Sequence, residues 1–167
     1  MSNRNLILST DKAAAVAELT SLIHFEALSA MSMGLSYKPT DKAPESFAEL
    51  KKQVARSGGI IPVADYGCDH TIYPDPETNL KFRFWHDSIH LAIDKGFSYR
   101  EELDVASCHL AVARAAGLSP LALSILEADT LGQTEYYKKY HEFVHDQDAF
   151  CDSVLQNGLK IALMVKH

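Results

Sequence analysis

Between Phe82 and Asp94 the chain reads FRFWHDSIHLAID, which sets His86, Asp87 and His90 within five residues of a protein that holds only eight histidines. In a helix, side chains four apart share a face, so His86 and His90 point the same way while Asp87 lies further round. Two neutral imidazoles at this spacing can bind one divalent ion, and a nearby carboxylate completes a three-ligand site with positions left for water. The plainer alternative is a pair of boundary histidines, edging the apolar stripe of Phe82, Trp85, Ile89 and Ile93 and hydrogen-bonding to their neighbours. The following segments repeat the arrangement. Glu102 and His109, two helical turns apart, lie together at the edge of the stripe made by Leu103, Ala106, Leu110 and Ala113. Glu127, Thr134 and His141 share a further ladder beside Leu123, Leu126, Thr130, Tyr137 and Val144. Metal sites in helical bundles are built in this way, from inward-facing Glu and His on facing helices. The short connections Gly96-Phe97 and Gly117-Leu118 enforce antiparallel packing. Taken singly, each glutamate is equally well read as a solvated helix former.

The run HDSIHLAIDKGFSYREELD, from His86 to Asp104, resembles the HD-domain phosphohydrolases, in particular the deoxynucleotide triphosphohydrolases, in which an HD pair is followed by another histidine and a glutamate. The resemblance is confined to this stretch. It implies an all-helical, metal-dependent enzyme in which His86 and Asp87 are metal ligands, His90 and Glu102 assist at the phosphate, and His24 is the upstream histidine. Asp129 and Asp146 both stand as candidates for the later aspartate. Combined with the ladders, this gives an ion held by His86, Asp87 and either Glu127 or Asp129, with His90 or Glu102 managing the proton. The cofactor is then a divalent ion: Mn, Zn, Mg or Fe. The same HDxxH run also resembles the HExxH pattern of zincins, with Asp in place of Glu and Glu102 as third ligand. Asp is one methylene shorter and reaches a nucleophilic water poorly, so peptidase ranks below phosphohydrolase.

Substrate-binding candidates surround this core. Arg83 can meet a phosphate bidentately, although an exposed helical arginine needs no function. Tyr136, Tyr137 and Tyr140 accompany Gln133, and such a cluster can stack on and hydrogen-bond a base; tyrosines at helical spacing are otherwise core with hydroxyls at the rim. Arg83, Gln133 and Tyr137 are the residues expected to touch a nucleotide. Cys108, beside His109, reads as a structural thiol rather than a nucleophile.

The elements that must position these residues are marked by caps and glycines. Ser9-Thr10 opens an alanine-rich helix over Asp11 to Met33, stopped by Gly34. A shorter helix runs from Pro44-Glu45 to Arg56 and breaks at Ser57-Gly58-Gly59. Ile60 to Ala64 and His70 to Tyr73, on either side of DYGCD, read as a small β-hairpin. A helix from about Asn79 to Lys95 ends at Gly96, and the capping box Ser98-Tyr99-Arg100-Glu101 starts the next, which runs to Ala116. Ser119-Pro120 opens a long helix through Tyr140 or Val144. A last short helix spans Asp148 to Gln156, and the tail LKIALMVKH fits helix or strand equally.

The expected fold is therefore all-α: one domain over 1–167, a bundle of about five or six helices with one small hairpin. With 167 residues, 47% hydrophobic and 23% charged, the chain can close a core of its own. A net charge of -6 disfavours non-specific duplex DNA as a partner. Three widely spaced cysteines without a C-x-x-C pair indicate neither a disulfide framework nor a zinc knuckle. No apolar run reaches the length of a signal peptide or a membrane span, so a cytoplasmic protein with no membrane partner is expected. The hydrolase elbow G-x-S-x-G, the P-loop G-x-x-x-x-G-K-[ST] and the dinucleotide-binding G-x-G-x-x-G do not occur. The function expected is a divalent-metal-dependent hydrolase, a phosphohydrolase acting on a small-molecule nucleotide, with homo-oligomerisation left open. The alternative is a non-catalytic acidic helical protein that regulates or inhibits a larger machine.

Overall fold

The structure, a computed structural model, describes the backbone of residues 3–167 and the side chains from residue 10 onward. It is a helical bundle with one two-stranded sheet. In chain order the elements are α1 (Asn3–Ser32), β1 (Ser36–Thr40), α2 (Phe47–Ser57), β2 (Ile60–Ala64), α3 (Pro76–Ile93), α4 (Tyr99–Ala115), α5 (Pro120–Glu127), a π-helical turn (Ala128–Gly132), α6 (Gln133–Tyr140), α7 (Gln147–Asn157) and α8 (Leu159–Ala162). No described helix is long and apolar enough to cross a membrane.

Most helix boundaries follow from local chemistry. Asp75 caps α3 by accepting the Thr78 N–H, and Ser119 caps α5 in the same way through Ala122, each with proline in the first turn where no N–H is needed. Glu101 reaches back to the Ser98 N–H at 3.3 Å, the reciprocal half of the expected capping box. The first helix runs through Ser9-Thr10 instead of starting there. The tail takes up helix, the single turn α8.

The sheet differs from the hairpin expectation. Ile60–Ala64 is a strand, but it pairs in parallel with Ser36–Thr40, joined by α2 as a β-α-β unit. Pro39 within SYKPT hides that segment from a propensity reading, because proline removes a ladder donor and is tolerated only at an edge, which a two-stranded sheet always offers. Gly59 leads into β2 at φ +105, and a Cβ there would lie 2.4 Å from the Gly34 carbonyl oxygen, so the two chain crossings are packed backbone to backbone. The run His70–Tyr73 is not a strand. Ile72 and Tyr73 are buried in the main core, and the Tyr73 hydroxyl donates to Asp129 at 2.6 Å.

Helix α3 is central. Its Phe82, Trp85 and Ile89 pack into the main core with Leu19 and Ile23 of α1, Val105 and Leu110 of α4, and Ile125 and Leu126 of α5. Phe84, one residue round, enters a second core with Leu50 of α2 and Ile61 and Val63 of β2. Two faces of α3 are thus apolar and buried, and the face between them carries His86 and His90 toward α4. A third, smaller cluster of Tyr136, Val144, Phe150 and Ala162 fastens the C-terminal elements.

The long helix expected from Ser119 onward exists, but its register breaks at Ala128–Gly132. The Thr130 hydroxyl donates back to the Leu126 carbonyl at 2.7 Å, and Thr134 to Thr130 at 3.0 Å, contacts that loosen and bend a helix. Phe150 lies so close to Gly132 that a Cβ would come within 3.1 Å of its ring. A π turn inserts extra backbone into the α repeat, so residues seven apart across it no longer stack. This is why the ladder Glu127, Thr134, His141 does not form: Glu127 and His141 are exposed, and His141 caps α6 at φ 56.

Trp85, only 2% exposed, sits at the junction of α3, α4 and the main core. Trp85→Ala should therefore lower stability by about 3–5 kcal/mol, the range for deleting a large buried aromatic, as read by urea denaturation; a loss below ~1 kcal/mol would place the indole outside the core.

Candidate metal centre

The capping box of α4 and the C-cap of α3 set the site. Asp94 closes α3 in the left-handed conformation at φ 50, and the chain turns back through Gly96 so that α4 runs beside α3. His86 and His90, one turn apart on α3, then face Glu102 in the first turns of α4, with His109 two turns further along the same face. His86 and Glu102 are about a quarter exposed, at 27% and 24%, and His90 is fully buried. His90 is therefore inside the core rather than at its edge, between Phe47 and Phe97.

The histidines form a hydrogen-bonded row. His90 Nδ1 lies 3.0 Å from the Lys95 carbonyl, His90 Nε2 lies 2.9 Å from His86 Nε2, and His86 Nδ1 lies 3.1 Å from His109 Nε2. Glu102 lies across the middle contact, with Oε2 at 3.3 Å from His86 Nε2 and Oε1 at 3.5 Å from His90 Nε2. The donor set of His86, His90 and Glu102 can be drawn with all its ligand atoms within 4.8 Å of one another. Ligands bound to one ion at about 2.0–2.2 Å are spaced by about 2.8–3.1 Å along the edges of an octahedron and about 3.3–3.6 Å along those of a tetrahedron. The two imidazole nitrogens stand 2.9 Å apart, and each meets a different oxygen of Glu102, Oε2 at 3.3 Å from His86 and Oε1 at 3.5 Å from His90, distances of that order.

Tautomers agree with it. A carbonyl only accepts, so His90 donates from Nδ1 to Lys95, and a neutral His90 then turns the lone pair of Nε2 inward. That lone pair faces His86 Nε2, and two lone pairs at 2.9 Å repel unless a proton or a cation stands between them. Without an ion, a proton fills the gap. Burial pushes the His86 pKa down, but the hydrogen bond and charge of Glu102, with Asp87 and Asp129 nearby, raise it overall. Burial likewise favours a neutral Glu102, yet the two imidazoles outweigh it and hold the carboxyl at about 2. Buried His109 is pushed well below the usual histidine range by desolvation and by the charge of His86 and His90, so it is neutral. The donor chemistry, two imidazoles and one carboxylate, suits Zn, Mn or Fe better than Mg, which prefers all-oxygen surroundings.

Of the other residues singled out in the sequence, some are drawn near and some are not. Asp87 adjoins the cluster but not as part of the triangle. It is half-buried, and burial raises its carboxyl to about 6 against the pull of both imidazoles. Asp129 is buried close enough to sense His86, but both its oxygens are engaged, one by Tyr73 and one by Gln133 at 2.6 Å. Gln133 is thereby a partner of Asp129 rather than a free ligand-reader. Glu127 is exposed in a separate groove with Ser124, Gly132 and Leu159, away from α3. Arg83 does not offer its guanidinium to an anion: it donates to the carbonyls of Ala64 and Tyr66 at 2.7 Å and of Gly67 at 3.0 Å, pinning the loop that follows β2. Tyr137 is exposed and lies on Phe143 at 4.9 Å, while Tyr136 is the buried member of the tyrosine cluster. His24 meets Thr78 at 3.3 Å, at the opposite end of α3 from His90. Asp146 caps α7. The sequence signal for His109 was its two-turn spacing from Glu102; its contact with His86 was not foreseeable without the packing.

Comparison with protein-family models, with curated proteins and with solved structures gave no match to this chain.

A depressed carboxyl stabilises the fold above its unfolded pKa of about 4.5 and loses that contribution as the pH falls toward its folded value of about 2. For metal-free protein, Glu102→Gln should therefore lower stability by about 1–3 kcal/mol near pH 5.5, and the gap from wild type should close on acidification toward pH 2. Thermal melts of both proteins across that range read the difference; a gap independent of pH would remove the imidazole–carboxylate pairing.

Proposed function

We propose that the protein is a divalent-metal-dependent hydrolase whose ion is held by His86, His90 and Glu102. The observation that carries this reading is the convergence of two imidazole nitrogens and the Glu102 carboxylate, one ligand atom from each within 4.8 Å of the others, with an acceptor for His90 Nδ1 that turns its lone pair inward. Three protein ligands leave positions for water and substrate, the pattern of catalytic rather than structural sites. An ion bound there would polarise a substrate oxygen and lower the pKa of water beside it.

In this reading His90 and Glu102 serve as ligands rather than as proton carriers, and Asp87 takes the proton. Its carboxyl, raised to about 6 by burial, is suited to accept and return a proton near neutral pH. Partial exposure of His86 and Glu102 gives substrate a way in, while buried His90 anchors the ion from behind. For substrate we keep the nucleotide class and phosphohydrolase chemistry that the HD resemblance implies. With Arg83, Gln133 and Tyr137 engaged elsewhere, the phosphate would be gripped chiefly at the ion.

The test is metal analysis of protein purified without a histidine tag, followed by assays on nucleoside mono- and triphosphates with Mn, Zn or Fe. About one ion per chain is expected. His86→Ala should abolish it while circular dichroism stays native, and Asp87→Asn should retain the ion but slow turnover by ~100-fold or more. A wild-type protein that carries no ion, and that gains no thermal stability from any of the three metals, would sink the proposal in favour of the non-catalytic interaction protein. Ion binding with turnover untouched by Asp87→Asn would remove Asp87 from the mechanism.

A further inference from the structure

Helix α4 touches both ring nitrogens of His86. Glu102 meets Nε2, on the ion side, and His109 meets Nδ1 on the far side at 3.1 Å. The two imidazole planes are only 11° apart with centroids 5.3 Å apart, which is close to the separation expected when one ring nitrogen points straight at the other in a shared plane. This is a directed hydrogen bond rather than a face-to-face stack. His109 itself is fully buried, held edge-on to Trp85 at a centroid distance of 4.1 Å and beside Phe82 at 5.3 Å, and its Nδ1 has no hydrogen-bond partner among the described residues. A buried polar atom without a partner is costly, so a purely structural role for this residue would be better filled by an apolar side chain. Resting on the metal-centre reading above, we propose that His109 is the positioning residue of that centre: it accepts the Nδ1 proton of His86 and so fixes the tautomer and ring plane that present His86 Nε2 to the ion.

The proton count leaves one arrangement. A neutral imidazole carries one N–H. If His86 Nε2 is a ligand, its proton is on Nδ1, and among the described residues it meets His109 Nε2 there, which must accept. The single proton of His109 then sits on Nδ1, the atom found without a partner. His90 obeys the same rule with the Lys95 carbonyl as its acceptor, so both ligand imidazoles point their protons away from the ion and their lone pairs toward it. In the opposite arrangement, with His109 donating to His86 Nδ1, His86 Nε2 would carry the proton and could not bind a metal. An outer partner that orients a metal-bound imidazole in this way is worth about 10–100-fold in affinity.

The variants His109→Phe and His109→Gln separate orientation from packing. Phenylalanine fills the aromatic enclosure and removes the acceptor; the glutamine amide oxygen can reach the place of Nε2 and restore it. Binding of Zn or Co is measured by chelator competition, with the visible spectrum of the Co form as a readout of ligand geometry. Expected is a 10–100-fold loss and an altered Co spectrum in His109→Phe, with recovery of most of the affinity in His109→Gln. Nitrogen-15 shifts of the His86 ring in Zn-loaded wild type give a second measurement that needs no variant, and should show the proton on Nδ1. Wild-type affinity and an unchanged Co spectrum in His109→Phe, or a proton absent from His86 Nδ1 in the loaded protein, would overturn the assignment while leaving the metal centre standing. Failure of the wild type itself to bind Zn or Co would overturn both.

Discussion

The carboxylate of Glu102 lying across His86 and His90 is the contact on which the centre depends. It joins α4 to α3, whose own apolar faces are already committed to two different cores. Without an acid at that place, α3 would present two imidazoles to each other with no negative charge to balance a proton between them. With it, the polar face of the central helix acquires a defined electrostatic state, and α4 gains a polar registration against α3 that apolar packing alone would leave loose. The cost is substantial, since desolvating a carboxylate and imidazoles is unfavourable unless their partners are well placed. Here the partners are well placed except at one atom, His109 Nδ1.

The order in which the side chains converge follows from local rules acting at a few points. The capping box at Ser98 and the left-handed residue Asp94 define a turn too short to permit anything but close antiparallel approach, which carries Glu102 to His86 and His90. The same turn is bonded to the site: the His90 carbonyl accepts the Lys95 N–H at 3.1 Å while the His90 ring reaches the Lys95 carbonyl. One residue thus belongs both to the helix terminus and to the candidate ligand set.

Much of this was legible in the sequence, and the exceptions have identifiable causes. Helix ends at Ser98, Pro120 and Gly158 could be read because capping is local chemistry, written in adjacent residues. The HDxxH spacing and the Glu102–His109 ladder could be read because α3 and α4 are uninterrupted. The ladder Glu127–His141 could not be carried through, because a π turn leaves no mark in hydrophobic periodicity and shifts every residue after it. The partner of β2 was hidden by Pro39, and the pairing is between segments some twenty residues apart, where α2 intervenes. Arg83 illustrates a different limit. Its proximity to the histidines in sequence suggests an anion site, yet its guanidinium finds three carbonyls of the loop after β2, a tertiary contact no spacing rule encodes. The exchange of roles between Asp87 and Glu102 has the same origin: neighbours in sequence diverge around a helix, while a residue from the next helix completes the cluster.

That the His90 ring is shared between helix terminus and ligand triangle has a thermodynamic consequence. Two equilibria that use one side chain are linked, and the linkage is reciprocal: whatever factor ion occupancy adds to closure of the α3–α4 turn, closure of the turn adds to ion affinity. With an ion bound at the proposed centre, fraying at Asp94–Gly96 would act as a leak through which occupancy drains. The backbone amide of Lys95, bonded to the His90 carbonyl, would then report by its exchange rate on whether the cluster is filled.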